Sequence, residues 1–309
     1  MSCQWVELEA VFQRPAEACS RPDTVTVLSA GQQYRLCAEH DRQRRESERG
    51  VTSYDGLAIT RSEPVLRRFR HDTGIRYGPH ARNLLDVFEP EKQRSEAPLL
   101  VFFHGGGFRL GDGTRYAFVG EPFLDRGCRY VTVTYPLVPE QYYPDTAHDV
   151  ELALGWVYRN LVAGSRAGMV VAGHSAGATA VAHAVFRKEW LQREGLPPEA
   201  ISGVILAGGL FDFRDGPRIF VATDDRREEA SILHRIETSP PAALVVCGER
   251  EVTPRIQSQS RELAALLTER GCRAEFFQLT GRDHFGAMDA LLDDNTEPGR
   301  AALAMLNLA

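Results

Sequence analysis

Two short stretches carry residue types at spacings that could do chemistry. In "VVAGHSAGATA", Ser175 lies between Gly173 and Gly177 in the pattern G-x-S-x-G, after an apolar run and before an alanine-rich one. On a strand-to-helix turn, such a serine stands clear of the sheet with the positive end of a helix dipole beneath it. The flanking glycines are needed there because side chains would collide. In "VFFHGGGFRLGDG", the apolar run gives way after His104 to three glycines in succession, Gly105 to Gly107, which leave bare backbone where a buried strand ends. Bare backbone is what a developing oxyanion needs, because fixed N–H groups can then approach it closely. The chemistry on offer is attack of a serine hydroxyl on a carbonyl. The amides of Gly106, Gly107 and Ala176 are the candidate donors to the oxygen that becomes negative.

A serine hydroxyl is a poor nucleophile until a base takes its proton. The candidate base is His284 in "LTGRDHFGAMD", a loop after the last expected strand. An acid must then orient the imidazole, and where the serine stands on such a strand-to-helix turn the chain order is serine, acid, histidine. "LVVCGEREVTP" offers Glu251 first and Glu249 second; Asp283 is adjacent to His284, so its side chain is expected to point elsewhere. Both glutamates also read as plain surface carboxylates. His104 is expected to brace the glycine loop by hydrogen bonds. Arg109 reads either as a surface partner of Asp112 or as a charge at the pocket mouth favouring anionic or polar acyl groups. Phe108, Tyr135, Phe211 and Phe213 fall at strand ends, as candidate apolar lining for substrate or as ordinary core.

These residues need a scaffold, and the text from about residue 84 supplies one. Apolar or β-branched runs at 84–88, 99–103, 129–135, 168–173, 201–209, 242–248 and 274–279 alternate with helical spacing, as in 145–161. "TPRIQSQSRELAALLTERG" has Pro254 for a first helical turn and Gly271 for a stop. This alternation predicts an α/β fold: a mainly parallel twisted sheet with helices on both faces and ligands beyond the carboxyl ends of the strands. Residues 1–80 are expected to form an N-terminal extension or cap, including a charged stretch "AEHDRQRRESERG" read as a solvated helix face. Residues 81–309 are expected to be the catalytic domain.

Composition narrows the function classes. With 309 residues, 43% hydrophobic and 25% charged, the chain can bury a sizeable core, and a net charge of −6 speaks against an electrostatic nucleic-acid binder. No run suggests a signal peptide or membrane insertion. Six cysteines lie far apart without CxxC spacing, which predicts reduced thiols and a cytoplasmic location, and no metal-ligand spacing occurs.

Taken together, "HGGGF", "GHSAG" and a histidine after the last strand resemble the α/β-hydrolase superfamily, specifically hormone-sensitive-lipase-like esterases and kynurenine formamidases. "VTYPLVPEQYYP", "GGLFDFRD" and "GEREVTPRIQSQS" extend the likeness over roughly residues 70 to 290. Gly107 and Phe108 stand where formamidases usually have an aromatic pair, and Glu251 where the family usually has aspartate. The resemblance implies acyl transfer through an acyl-serine and release to water, with no cofactor and no metal. The expected partner is a small-molecule acyl substrate, with a homo-oligomer left open. Carboxylic-ester hydrolysis of a small acyl group is the leading expectation. Arylformamidase or other amide hydrolysis, and a thioesterase or tailoring acyl hydrolase of secondary metabolism, are alternatives, with a receptor or lyase behind them.

Overall fold

The continuous apolar runs form the middle of an eight-stranded sheet in the computed structural model, which describes residues 24–29, 32–37, 54, 56–95, 97–163, 168–187, 189–215 and 219–309. A separate antiparallel pair, β1 (Thr24–Ser29) and β2 (Gln32–Cys37), sets Thr24 opposite Cys37. The main sheet contains β3 (Arg70–Arg76), β4 (Leu84–Glu89), β5 (Leu99–Phe103), β6 (Tyr130–Thr134), β7 (Met169–His174), β8 (Ile201–Ala207), β9 (Ala242–Arg250) and β10 (Arg273–Asp283). Their order across the sheet is β10-β9-β8-β7-β5-β6-β4-β3. Only β4 runs against its neighbours; β5 to β10 pair in parallel.

Strand alternation divides the core into two layers. Leu99, Val101 and Phe103 pack on one face with Val131, Val133, Met169, Val171, Val204, Leu206, Val245 and Cys247. Leu100 and Phe102 pack on the other with Tyr130, Val170, Ile205, Leu244 and Val246. Helices cover both faces, as expected when strands are buried on either side. The first face carries α3 (Asp145–Val157), α4 (Ala176–Val185) and α6 (Pro254–Glu269). The second carries α1 (56–68), α2 (Ala117–Leu124), α7 (His284–Leu291) and α8 (Glu297–Met305). A short helix, α5 (Glu189–Arg193), follows α4 and buries Trp190. The three cysteines described with side chains, Cys128, Cys247 and Cys272, are free and buried. Among the described residues no helix is long and apolar enough to cross a membrane.

The sheet begins earlier in the chain than the periodicity suggests. The edge strand β3 lies within residues 1–80, and α1 before it buries Ala58, Val65 and the following Phe69 on the second face. Ser62 fastens α1: its Oγ donates to the Arg115 carbonyl at 2.8 Å and accepts from the Phe118 amide at 3.2 Å. β3 reads "RHDTGIR" and is mostly exposed, so no apolar pattern marks it. The charged stretch at 38–50 lies outside the described residues. Two strand ends also differ. β9 continues through Glu249 to Arg250, and β10 runs past an irregularity after Leu279 until Asp283 pairs with Arg250. The helix at 145 ends at Val157 and passes into a wider π-type turn, Tyr158–Val162.

One buried carboxylate in this frame sets a pH dependence. Asp149 on α3 is 4% exposed; its Oδ1 accepts from Asn83 Nδ2 at 2.8 Å, while Oδ2 has no partner among the described residues. Burial pushes its carboxyl up to about 6. Between the ordinary carboxylate range and that value the native state holds a proton that the unfolded chain has lost. The contribution to stability is therefore fully present in acid and lost as pH rises to about 6. Asp149→Asn keeps an acceptor for Asn83 and carries no charge. We expect its melting temperature to equal or exceed wild type at pH 7 to 8, with the advantage shrinking toward pH 4. A variant equally destabilised at both ends of the pH range contradicts this account.

Candidate active site

Ser175 is the single residue between β7 and α4, and its backbone is strained at φ 55°, ψ −121°. A non-glycine residue holds such angles only where its surroundings over-determine them. Here the Ser175 amide donates to the Ala207 carbonyl at the end of β8, at 2.7 Å. The flanking glycines allow the turn to close. A Cβ on Gly177 would lie 2.1 Å from the Phe103 carbonyl oxygen, and one on Gly173 would lie 2.5 Å from the Gly177 carbonyl carbon. Larger residues at either position would push the elbow off β5 and off its own helix.

The acidic and basic candidates meet at the ends of neighbouring strands. Asp283 pairs with Arg250, so His284 and Glu251 each stand one residue beyond the last rung of the β9–β10 ladder. His284 Nδ1 donates to Glu251 Oε2 at 2.5 Å, and the other carboxylate oxygen, Oε1, accepts the Gly248 amide at 2.8 Å. The Glu251 side chain is fully buried and that of His284 is 8% exposed, so water competes little for this pair. With the proton on Nδ1, Nε2 is left as a lone pair. Gly208, which follows Ala207, lies against the pair: a Cβ there would be 2.9 Å from the His284 ring and 3.6 Å from Glu251 Oε1. Ser175 and His284 thus flank one peptide, with Ser175 tied to Ala207 and His284 packed on Gly208. Glu249 goes elsewhere and accepts the Gly281 amide at 2.7 Å. Asp283 caps α7 by accepting from the Gly286 amide.

The glycine loop lies alongside. A Cβ on Gly105 would approach the Ser175 Cβ to 3.0 Å, so loop and elbow are in contact. The loop turns through positive φ at Gly106, Gly107 and Phe108, and the amides of Arg109 and Leu110 both donate to the Gly106 carbonyl at 3.0 Å. Among the described residues, the amides of Gly106, Gly107 and Ala176 donate to no backbone or side-chain acceptor. His104 braces the start of the loop: it is fully buried, and its Nδ1 donates to the Gly105 carbonyl at 2.6 Å. Burial pushes its pKa down to about 4, so it stays neutral. Arg109 does not pair with Asp112. Asp112 instead caps the next turn, accepting from the Thr114 amide and hydroxyl, and the buried Arg109 Nε has no partner among the described residues.

Phe108, Tyr135, Phe211 and Phe213 are each no more than 1% exposed. Tyr135 belongs to the loop's support: its ring stacks on His104 at 4.4 Å and its hydroxyl donates to the His104 carbonyl. Phe108 and Phe213 both pack on Phe220, at 4.7 and 5.2 Å between ring centroids. Phe211 is held at its backbone by Gln259 on α6, whose Oε1 accepts the amides of Phe211 and Asp212 at 2.7 and 3.1 Å. Sequence reasoning overlooked Gln259, and it overlooked His174 as well. His174 is buried beside Ser175, and its Nε2 donates to the His284 carbonyl at 3.1 Å, linking the serine elbow to the histidine turn. Burial and the neighbouring His284 push its pKa down to about 3, so it adds no charge there. A polar side chain inside an otherwise apolar strand end was the available signal.

Comparison with known proteins agrees with this fold. Residues 100–224 match a family model described as alpha/beta hydrolase fold. The chain is similar to a kynurenine formamidase of Drosophila melanogaster, 27% identical over 263 residues that cover 81% of this chain and 85% of that one. Carboxylesterase NlhH of Mycobacterium tuberculosis is 35% identical over 94 residues, 29% of this chain and 30% of that one. Among solved structures, esterase B from Lactobacillus rhamnosis superposes with a TM-score of 0.66 at 15% identity, covering 85% of this chain and 91% of that one. The parallel sheet with helices on both faces, the match of residues 100–224 and the likeness to these relatives agree: the chain has the α/β-hydrolase fold.

Proposed function

We propose that the protein is a serine hydrolase that cleaves carboxylic esters of small acyl groups through an acyl-Ser175 intermediate. The observation that carries this reading is the buried Glu251–His284 contact at 2.5 Å, which leaves the imidazole Nε2 as a base on the same peptide that anchors Ser175. His284 takes the Ser175 proton as the oxygen attacks the carbonyl, and Glu251 stabilises the imidazolium that results. The amides of Gly106, Gly107 and Ala176 receive the oxyanion. Collapse of the tetrahedral intermediate breaks the bond to the leaving alcohol, which takes the proton back from His284. Water activated by the same base then releases the acid. No step calls for a metal or cofactor.

Preference for short acyl chains rests on the surface. Among the described residues, large apolar side chains are exposed only at Leu57, Ile59, Leu110 and Val252, too few to form the broad apolar face an interfacial lipase presents to lipid. A second reading, hydrolysis of N-formyl arylamines, is favoured by one finding: the formamidase relative matches 81% of this chain, whereas the carboxylesterase match is confined to a shorter segment.

The test is a substrate panel. We expect labelling by a fluorophosphonate probe and turnover of p-nitrophenyl esters that climbs from acetate and then falls. Each methylene that fits is worth about 0.8 kcal/mol, nearly fourfold, until the pocket is full. Activity still rising beyond about ten carbons points instead to a lipase. If kcat/KM is greatest for an N-formyl arylamine, the formamidase reading replaces the ester reading. Absence of both labelling and turnover across the panel overturns acyl transfer altogether.

A further inference from the structure

We infer that Arg82, on the turn between β3 and β4, is a positioning residue that sets the geometry of the oxyanion loop; the inference rests on the acyl-transfer reading above. Arg82 lies outside the segment matched by the hydrolase family model, and neither its neighbours in sequence nor their pattern suggests a link to Ser175. Its guanidinium spans two carbonyls. Nη2 donates to Gly111 at 2.7 Å, and Nε donates to Tyr135 at 2.9 Å.

Those two carbonyls connect opposite ends of one loop. Gly111 closes the glycine loop, and a Cβ there would meet the His104 ring at 2.3 Å, so the end of the loop packs directly on its beginning. Tyr135 holds that beginning, because its hydroxyl donates to the His104 carbonyl at 2.6 Å while its ring stacks on the imidazole. The frame His104–Tyr135–Arg82–Gly111 is therefore closed by the arginine, and the amides of Gly106 and Gly107 hang between its two ends. The planar fork of a guanidinium matches two acceptors at fixed spacing, whereas an ammonium is a point charge on a flexible stem.

The turn that carries Arg82 is itself pinned. Asn83 donates from Nδ2 to Asp149 on α3 and accepts the His80 amide at Oδ1, both at 2.8 Å. The Arg82 amide donates to His80 Nδ1 at 3.0 Å. A fixed turn thus presents the fork to a loop whose own residues are mostly glycine and cannot fix themselves.

Arg82 touches no reacting atom, so its loss should appear in the step that develops negative charge. Removing one oxyanion donor typically costs about 10²- to 10³-fold in kcat, and a loosened donor should lose part of that. We expect Arg82→Gln and Arg82→Lys to lower kcat by roughly 10- to 100-fold with KM nearly unchanged, since a displacement of about 1 Å suffices for such an effect. A trifluoromethyl ketone, which forms a tetrahedral adduct with the serine, should lose affinity in parallel with kcat. Added guanidinium ion should restore part of the activity of Arg82→Ala. Arg76 reaches the same turn by donating to the His80 carbonyl, so Arg76→Gln is the control expected to behave as wild type. Far-ultraviolet dichroism and melting temperature establish that each variant is folded, and Arg82→Lys serves if Arg82→Gln is not.

Folded Arg82 variants with wild-type kcat overturn the inference, as does a loss confined to KM or a loss matched by Arg76→Gln. Wild-type enzyme that neither labels with fluorophosphonate nor turns over the substrate panel instead overturns the acyl-transfer reading, and the role of Arg82 falls with it.

Discussion

Ser175→Ala should leave a folded protein whose turnover of its best substrate falls by a factor on the order of 10⁶, down to what binding and the oxyanion donors achieve alone. The structure gives reasons for both halves of that result. Alanine preserves the Cβ and the amide that donates to the Ala207 carbonyl, so the strained elbow keeps its anchor and the melting temperature should be unchanged. The hydroxyl is the only atom lost. His284, Glu251 and the glycine loop are held by bonds that do not involve it. Substrate should therefore still bind, and fluorophosphonate labelling should vanish. Purified, folded Ser175→Ala that retains activity within about tenfold of wild type would show that another residue is the nucleophile.

Glu251→Gln should lower kcat by about 10⁴-fold, because it attacks the proton inventory of the pair rather than its shape. A carboxylate accepts at both oxygens, and here one receives the Gly248 amide and the other His284 Nδ1. A carboxamide has one acceptor and one donor. Turned one way, its NH₂ faces the Gly248 N–H. Turned the other way, it faces His284 and favours the tautomer with the proton on Nε2, where the Ser175 proton has to go. Glu249→Gln should remain close to wild type, since that side chain accepts the Gly281 amide at an exposed position, away from His284. Steady-state kinetics of the two variants decide the matter, and a severe Glu249→Gln beside a mild Glu251→Gln reverses the assignment.

The choice between these two glutamates shows where sequence reading stopped. Runs such as "LLVFF" and "GMVVAG" declare buried strands because no polar residue interrupts them, and the motifs at their ends could be located to the residue. β9 does not end where its apolar run ends. It continues through Glu249, and the direction in which each glutamate points depends on the register with β10, which itself continues through exposed polar residues to Asp283. The edge strands β10 and β3 have a partner on one side only and are largely exposed, so no continuous apolar run marks their extent. The same reason hid β3 and, with it, the turn bearing Arg82. Gln259 and His174 were hidden differently. Each serves a backbone group distant in sequence, and a bond to backbone leaves no trace in the identity of its partner.

The two halves of the site are constrained in unequal ways, and this bears on how such a site can change over generations. The nucleophile half is defined by exclusion: at Gly173 and Gly177 the nearest backbone atoms leave no room for a single added carbon. Substitution there fails at the first step, whatever the incoming side chain. The proton-handling half is defined by reach. It requires a carboxylate to arrive at one imidazole nitrogen from the end of a neighbouring strand, and a side chain of different length can satisfy that if its backbone starts from a different place. Drift can therefore explore the acid while the elbow stays still. The segment that matches the hydrolase family model, residues 100–224, includes the glycine loop and Ser175 and stops before Glu251 and His284.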